Sequence, residues 1–95
     1  MSMFAVGGEF VRHIGAGVLG DGTKDIEIDA NGDVIVADYD SHRVCVFLFD
    51  GGAMSKTWGK EGTADGECKN PTALALVGER LYVLDNYNDR VQVYE

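Results

Sequence analysis

Two aspartates, each followed by an arginine five residues later, form the most chemically suggestive pattern in the chain: Asp38 with Arg43 and Asp85 with Arg90. A carboxylate at a strand end can accept backbone N–H bonds from the turn that follows it. A guanidinium offers a planar fork to a carboxylate or to loop carbonyls. A catalytic residue is needed once, whereas a fold element is needed in every repeat, so these four residues are expected to pin the loops between strands. The other reactive types are sparse. Asp29-Ala-Asn31-Gly-Asp33 has oxygen ligands at alternate positions, as a calcium loop does, but its glycine is misplaced and no glutamate closes it. His13 and His42 are the only histidines and lack the partners that a zinc site needs. Cys45 and Cys68 sit at non-equivalent places and are expected as free thiols; only Lys69 beside Cys68 hints at thiolate activation. Neither a Gly-x-Ser-x-Gly elbow nor a phosphate-cradling Gly-Lys-Ser/Thr loop is present. The expectation is a non-enzyme with no catalytic residue, metal or cofactor.

The elements that must position these groups are short strands. Apolar and β-branched runs bounded by Gly, Asn and Asp fall near 3–6, 9–14, 25–29, 33–38, 43–49, 53–58, 72–77, 80–85 and 90–94. Val34-Ile-Val-Ala37, Val44 to Phe49 and Leu81-Tyr-Val-Leu84 are continuous rather than alternating, which implies sheets covered on both faces. Asn31-Gly32 and Val77-Gly-Glu-Arg80 are hairpin signals, and no helical period is sustained. The second half also repeats the first. Residues 25–47 align with 72–94 without a gap at an offset of 47, matching Val36, Asp38, Arg43, Val44 and Val46 to Val83, Asp85, Arg90, Val91 and Val93. Upstream, at an offset of 44, Gly8, Gly15, Asp21 and Gly22 match Gly52, Gly59, Asp65 and Gly66. A period in this range signals units that bury their apolar faces only by stacking on one another.

Composition sets outer bounds. The 95 residues carry a net charge of −8, and residues 25–50 hold seven acidic side chains against one base, Arg43. That field has the wrong sign for a phosphate backbone, so a nucleic-acid partner is not expected. No apolar stretch approaches the roughly 20 residues that span a bilayer, so no membrane partner is expected either. Met1 to Val6 has neither a cationic region nor a long apolar core. No signal peptide is expected, and with two free cysteines an intracellular compartment is favoured.

Small four-stranded antiparallel meanders repeated every 40–50 residues are the blades of an all-β propeller. The motifs Asn31-Gly-Asp-Val-Ile-Val-Ala-Asp38, His42-Arg-Val-Cys-Val-Phe47, Trp58-Gly59, Asn70-Pro71, Leu81-Tyr-Val-Leu-Asp85 and Asn88-Asp-Arg-Val-Gln-Val-Tyr94 resemble the NHL repeat family over about residues 9–95. The resemblance implies propellers, most often six-bladed, that serve as protein-binding platforms. On this reading 1–8 is a remnant of a preceding strand or a leader. Residues 9–58 are a first blade equivalent in the order D-A-B-C-D, and 59–95 a second that lacks its outer strand. Three copies would then supply six blades, so self-association as a homotrimer is expected, with strand 9–14 of one chain completing the last blade of the next. Protein or peptide partners, of basic character by preference, are expected on the loop face displaying Tyr39, Asp40, Ser41, His42, Asn86, Tyr87, Asn88 and Asp89. Two alternatives stand beside this. Some enzymes resembling the family hold an axial metal, to which Asp25 and Glu27 would be candidate contributors in a hydrolase or lyase. The chain could also be an excised or engineered propeller piece whose role is assembly.

Overall fold

Stretches such as Val34-Ile-Val-Ala and Val44-Cys-Val-Phe are stiff at χ1 and fit a pleated surface better than a helix. The computed structural model describes residues 7–11, 13–15, 17–20, 22–50 and 52–95, and it folds these stretches into seven strands. They are β1 (Asp25–Ile28), β2 (Val34–Asp38), β3 (Arg43–Phe47), β4 (Met54–Trp58), β5 (Pro71–Val77), β6 (Arg80–Asp85) and β7 (Arg90–Tyr94). The first four form one antiparallel meander, β1-β2-β3-β4, and the last three another, β5-β6-β7. The only helical elements among the described residues are single 3-10 turns, Tyr39–Ser41 and Asn86–Asn88.

Seven of the nine expected strands are therefore present, each within a residue or two of its expected bounds. The strand expected over 9–14 is not: its described residues have no ladder, and Phe10 and Val11 are exposed. Its sequence is strand-like, but no strand among the described residues lies alongside to pair with it, and an unpaired strand has nothing to hold it. The stretch 3–6 lies outside the described residues.

The gap-free alignment of the two repeats hides a register change. In the first sheet Asp25 pairs with Ala37 and Ile28 with Val34. In the second, Pro71 pairs with Asp85 but Ala73 with Leu84, so Thr72 is an extra residue in a β-bulge. Beyond the bulge, Ile26 and Ile28 correspond to Leu74 and Leu76, and Asp25 and Glu27 to Ala73 and Ala75. The five-residue loop 29–33 is answered by the four residues Val77–Arg80, whose two central residues make the turn, so the lengths cancel. In the longer loop only Gly32 of the Asn-Gly pair has positive φ. The carboxylate of Asp29 organises the rest, accepting the N–H groups of Asn31 and Asp33, each at 2.9 Å.

The central strands of the first sheet, β2 and β3, are packed on both faces, as their continuous apolar runs imply, while Ile26 and Ile28 of β1 stay exposed. Ile35, Ala37, Val44 and Val46 pack on Leu74, Leu81 and Val83 of the second sheet, with Trp58, Leu76 and Tyr94 at the border. On the opposite face Val36, Cys45 and Phe47 pack with Ile14, Leu19 and Val34. The upstream half of the repeat is visible in the backbone, since Gly8 and Gly52, Gly15 and Gly59, and Gly22 and Gly66 all have positive φ. Ile14 stands at the offset-44 equivalent of Trp58. It joins the cluster around Phe47 as Trp58 meets Tyr94, their rings 5.5 Å apart.

Candidate interaction surface

The loops after β2 and β6 are built alike. Each starts at a buried aspartate with φ −89, makes one 3-10 turn, and ends on a left-handed residue: His42 at φ 55 and Asp89 at φ 52. This sharp reversal brings the aspartate back to the arginine five residues on. Arg43 Nε donates to Asp38 Oδ2, and Arg90 Nε to Asp85 Oδ2, both at 2.8 Å. Both carboxylates are fully buried.

The pins reach further than the loop they were expected to hold. Asp38 also accepts the N–H of Gly20 at 3.1 Å, while Arg43 donates to the carbonyl of Val18 at 2.7 Å. Asp85 accepts the N–H of Lys69 at 2.7 Å, and Arg90 donates to the carbonyls of Thr63, Ala64 and Glu67. Each pair thus ties the loop inside its own sheet to the glycine-rich crossing that enters that sheet. Burial pushes the Asp85 carboxyl up, but the bonds from Asn88, the Lys69 N–H and Arg90 outweigh it and hold the group below its ordinary 3.8.

Of the eight expected surface residues, Tyr39 and Tyr87 are brought together. They come from the corresponding loops of the two repeats but from positions one residue out of step, Tyr39 matching Asn86 and Tyr87 matching Asp40. They stand edge to face with centroids 6.5 Å apart and join through their hydroxyls at 3.3 Å. The bond to Tyr87 raises the Tyr39 phenol above its ordinary 10.0. Lys24 Nζ lies 4.9 Å from the Tyr39 ring centroid, within cation–π range. Asp40, Ser41, Asn86 and Asp89 are exposed on the same loops. Asn88 turns inward instead, donating to the Gly62 carbonyl and to Asp85.

His42 departs from the exposed loop residue that its sequence context suggests. It is half-buried between the sheets, where Nδ1 accepts the N–H of Asn70 at 3.1 Å and its carbonyl accepts from Cys68 Sγ. Asn70, itself left-handed at φ 58, donates in turn to the Tyr39 carbonyl. A loop position gave no signal of this because the partners lie 26 and 28 residues away. The Cys68 thiol is pushed up to about 11, first by burial and then by Asp85, so Lys69 does not activate it. Cys45 is likewise buried and free, its pKa raised by burial.

Asp25 and Glu27 have a role that the sequence reading missed. On β1 their carboxylates alternate toward the second sheet. There they accept the β5 N–H groups of Leu74 at 2.8 Å and Leu76 at 3.3 Å. Two donors on the free edge of β5 are thereby satisfied by side chains. Among the described residues no three His, Cys, Asp or Glu side chains come together as a metal cluster, and no helix is long and apolar enough to cross a membrane.

Residues 24–47 match the family model described as NHL repeat. The matched stretch spans β1, β2 and β3 with the Asp38–Arg43 pin. Among curated proteins none matches the chain.

Proposed function

The chain carries an NHL repeat, and from that premise we propose that it is a non-catalytic propeller scaffold whose loop face binds a protein or peptide. The observation that carries the reading is the Tyr39–Tyr87 pair. Two rigid amphipathic rings from separate repeats meet on one exposed face, where they bury area at small entropic cost. Asp40 and Asp89 flank the pair and favour a basic partner. Asp38, Arg43, Asp85 and Arg90 are spent on tying loops together, so they set the shape of this face rather than touch the ligand. Asp25 and Glu27 are engaged by Leu74 and Leu76, which leaves them a junction role in this reading rather than a catalytic one.

Fluorescence polarisation with a Lys/Arg-rich peptide and its Glu-substituted counterpart tests it. The basic peptide is expected to bind the more tightly. Tyr39→Ala and Tyr87→Ala are each expected to weaken binding by about tenfold or more, the scale of an aromatic hot spot. Equal affinity for both peptides, or tyrosine variants that bind as the parent does, would sink the reading.

A further inference from the structure

The internal junction between the two sheets is a template for a second junction that the chain leaves open at both ends. On one side of the internal junction stand Ile35, Ala37, Val44 and Val46; on the other, Leu74, Leu81 and Val83 bordered by Leu76. The repeat places Tyr82, Leu84, Val91 and Val93 on the outer face of the second sheet as equivalents of the first set. It places Ile26, Ile28, Val34 and Val36 on the outer face of the first sheet as equivalents of the second. Much of these apolar outer faces is open: Leu84, Val91 and Val93 are 38%, 56% and 52% exposed, and Ile26 and Ile28 are 57% and 51% exposed, while Val34 and Val36 pack with Phe47, Ile14 and Leu19. Side chains of this size standing together on a sheet face mark an interaction surface.

We propose that a second copy of this chain docks here head to tail, seating its Ile26 and Ile28 against Leu84, Val91 and Val93 of the first. The proposal deepens the propeller reading above by naming the chain itself as the partner of its sheet faces, apart from whatever binds the loops. Such a contact is heterologous, so it forms a ring where the rotation closes. Three copies supply the six blades that NHL-like propellers most often have.

The two junctions are not identical. Ala73 and Ala75 stand where Asp25 and Glu27 stand in the first sheet, so the junction between copies has no carboxylates to accept β1 N–H groups. The N–H of Ile26 is already satisfied by its own Asp25 carboxylate at 2.9 Å. The docking between copies therefore lacks the carboxylate clamp of the internal junction and dissociates on dilution before that junction opens.

Light scattering on a sizing column over a range of concentrations reads this directly. A mass of about 31 kDa, three times the 10.3 kDa of one chain, is expected at high concentration. Val91→Glu and Ile26→Glu, both at exposed positions, should each reduce it to that of one chain with an unchanged circular dichroism spectrum. Because each variant spoils a different end, mixing them should give a species of about twice the chain mass. A parent chain that stays single at every concentration overturns the proposal. So does an oligomer that survives both substitutions, or a mixture that remains monomeric. A monomer that still binds the basic peptide through Tyr39 and Tyr87 would remove the docking while leaving the loop-face reading intact.

Discussion

Asp85 collects four donors on a fully buried carboxylate: the Lys69 N–H, Asn88 Nδ2, Arg90 Nε and Gln92 Nε2. Truncating such a group strands the others, so Asp85→Ala is expected to cost about 3–5 kcal/mol in chemical unfolding. Its pKa is depressed in the folded state, which means the unfolded chain takes up the proton first as pH falls. The stabilisation from this carboxylate is thus complete above its ordinary 3.8 and drains away as pH drops below that value through the lower native one. The urea midpoint should fall more steeply below about pH 4 in the parent than in Asp85→Asn. At this scale the sequence was informative where a residue recurred and mute where its partner was distant. The Asp-x4-Arg spacing announced two ion pairs, but nothing in it pointed to the carbonyls of Val18 or Thr63. His42 looked like loop polarity because its bond to Asn70 spans two sheets.

Among the elements, the glycine-rich segments that enter each sheet are tied to it by the aspartate–arginine pairs. Gly59 sits where one begins, at φ +89, and a Cβ there would lie 3.2 Å from Cys68 Sγ and 3.3 Å from the His42 carbonyl. A side chain meets both a disfavoured backbone conformation and a crowded site, so Gly59→Ala is expected to lose at least about 1–2 kcal/mol. Gly7, with nothing within 4 Å and no positive φ, is the matched control and should tolerate alanine without change in thermal midpoint. Strand existence was legible because apolar runs and turn residues agree along the chain. The position of the bulge was not. Thr72 adds one residue to β5 and the following turn removes one, so a gap-free alignment at offset 47 looks right while misassigning which A-strand side chains face which way. The strand expected over 9–14 failed for a different reason: strand propensity needs a neighbouring edge, and sequence does not say where that edge is.

For the whole molecule, the sheets are joined by an apolar seam through Ile35, Val44, Leu81 and Val83, by the loop bonds of His42 and Asn70 and the Tyr39–Tyr87 pair, and by the carboxylates of Asp25 and Glu27 on the edge of β5. The apolar seam was foreseeable from runs that demanded cover on both faces. The carboxylate clamp was not, since two acids on an inner strand read equally well as a solvated rim or as a cation site. The clamp gives the molecule a built-in clock. The amides of Leu74 and Leu76 find their acceptors on the other sheet, whereas those of the central strand β6 find theirs within their own ladder. In hydrogen–deuterium exchange, the first two therefore time the parting of the sheets and the second group times the loss of a sheet itself. Asp25→Ala should speed exchange at Leu74 and leave the β6 amides slow. If all of them quicken together, the two sheets open as one cooperative body.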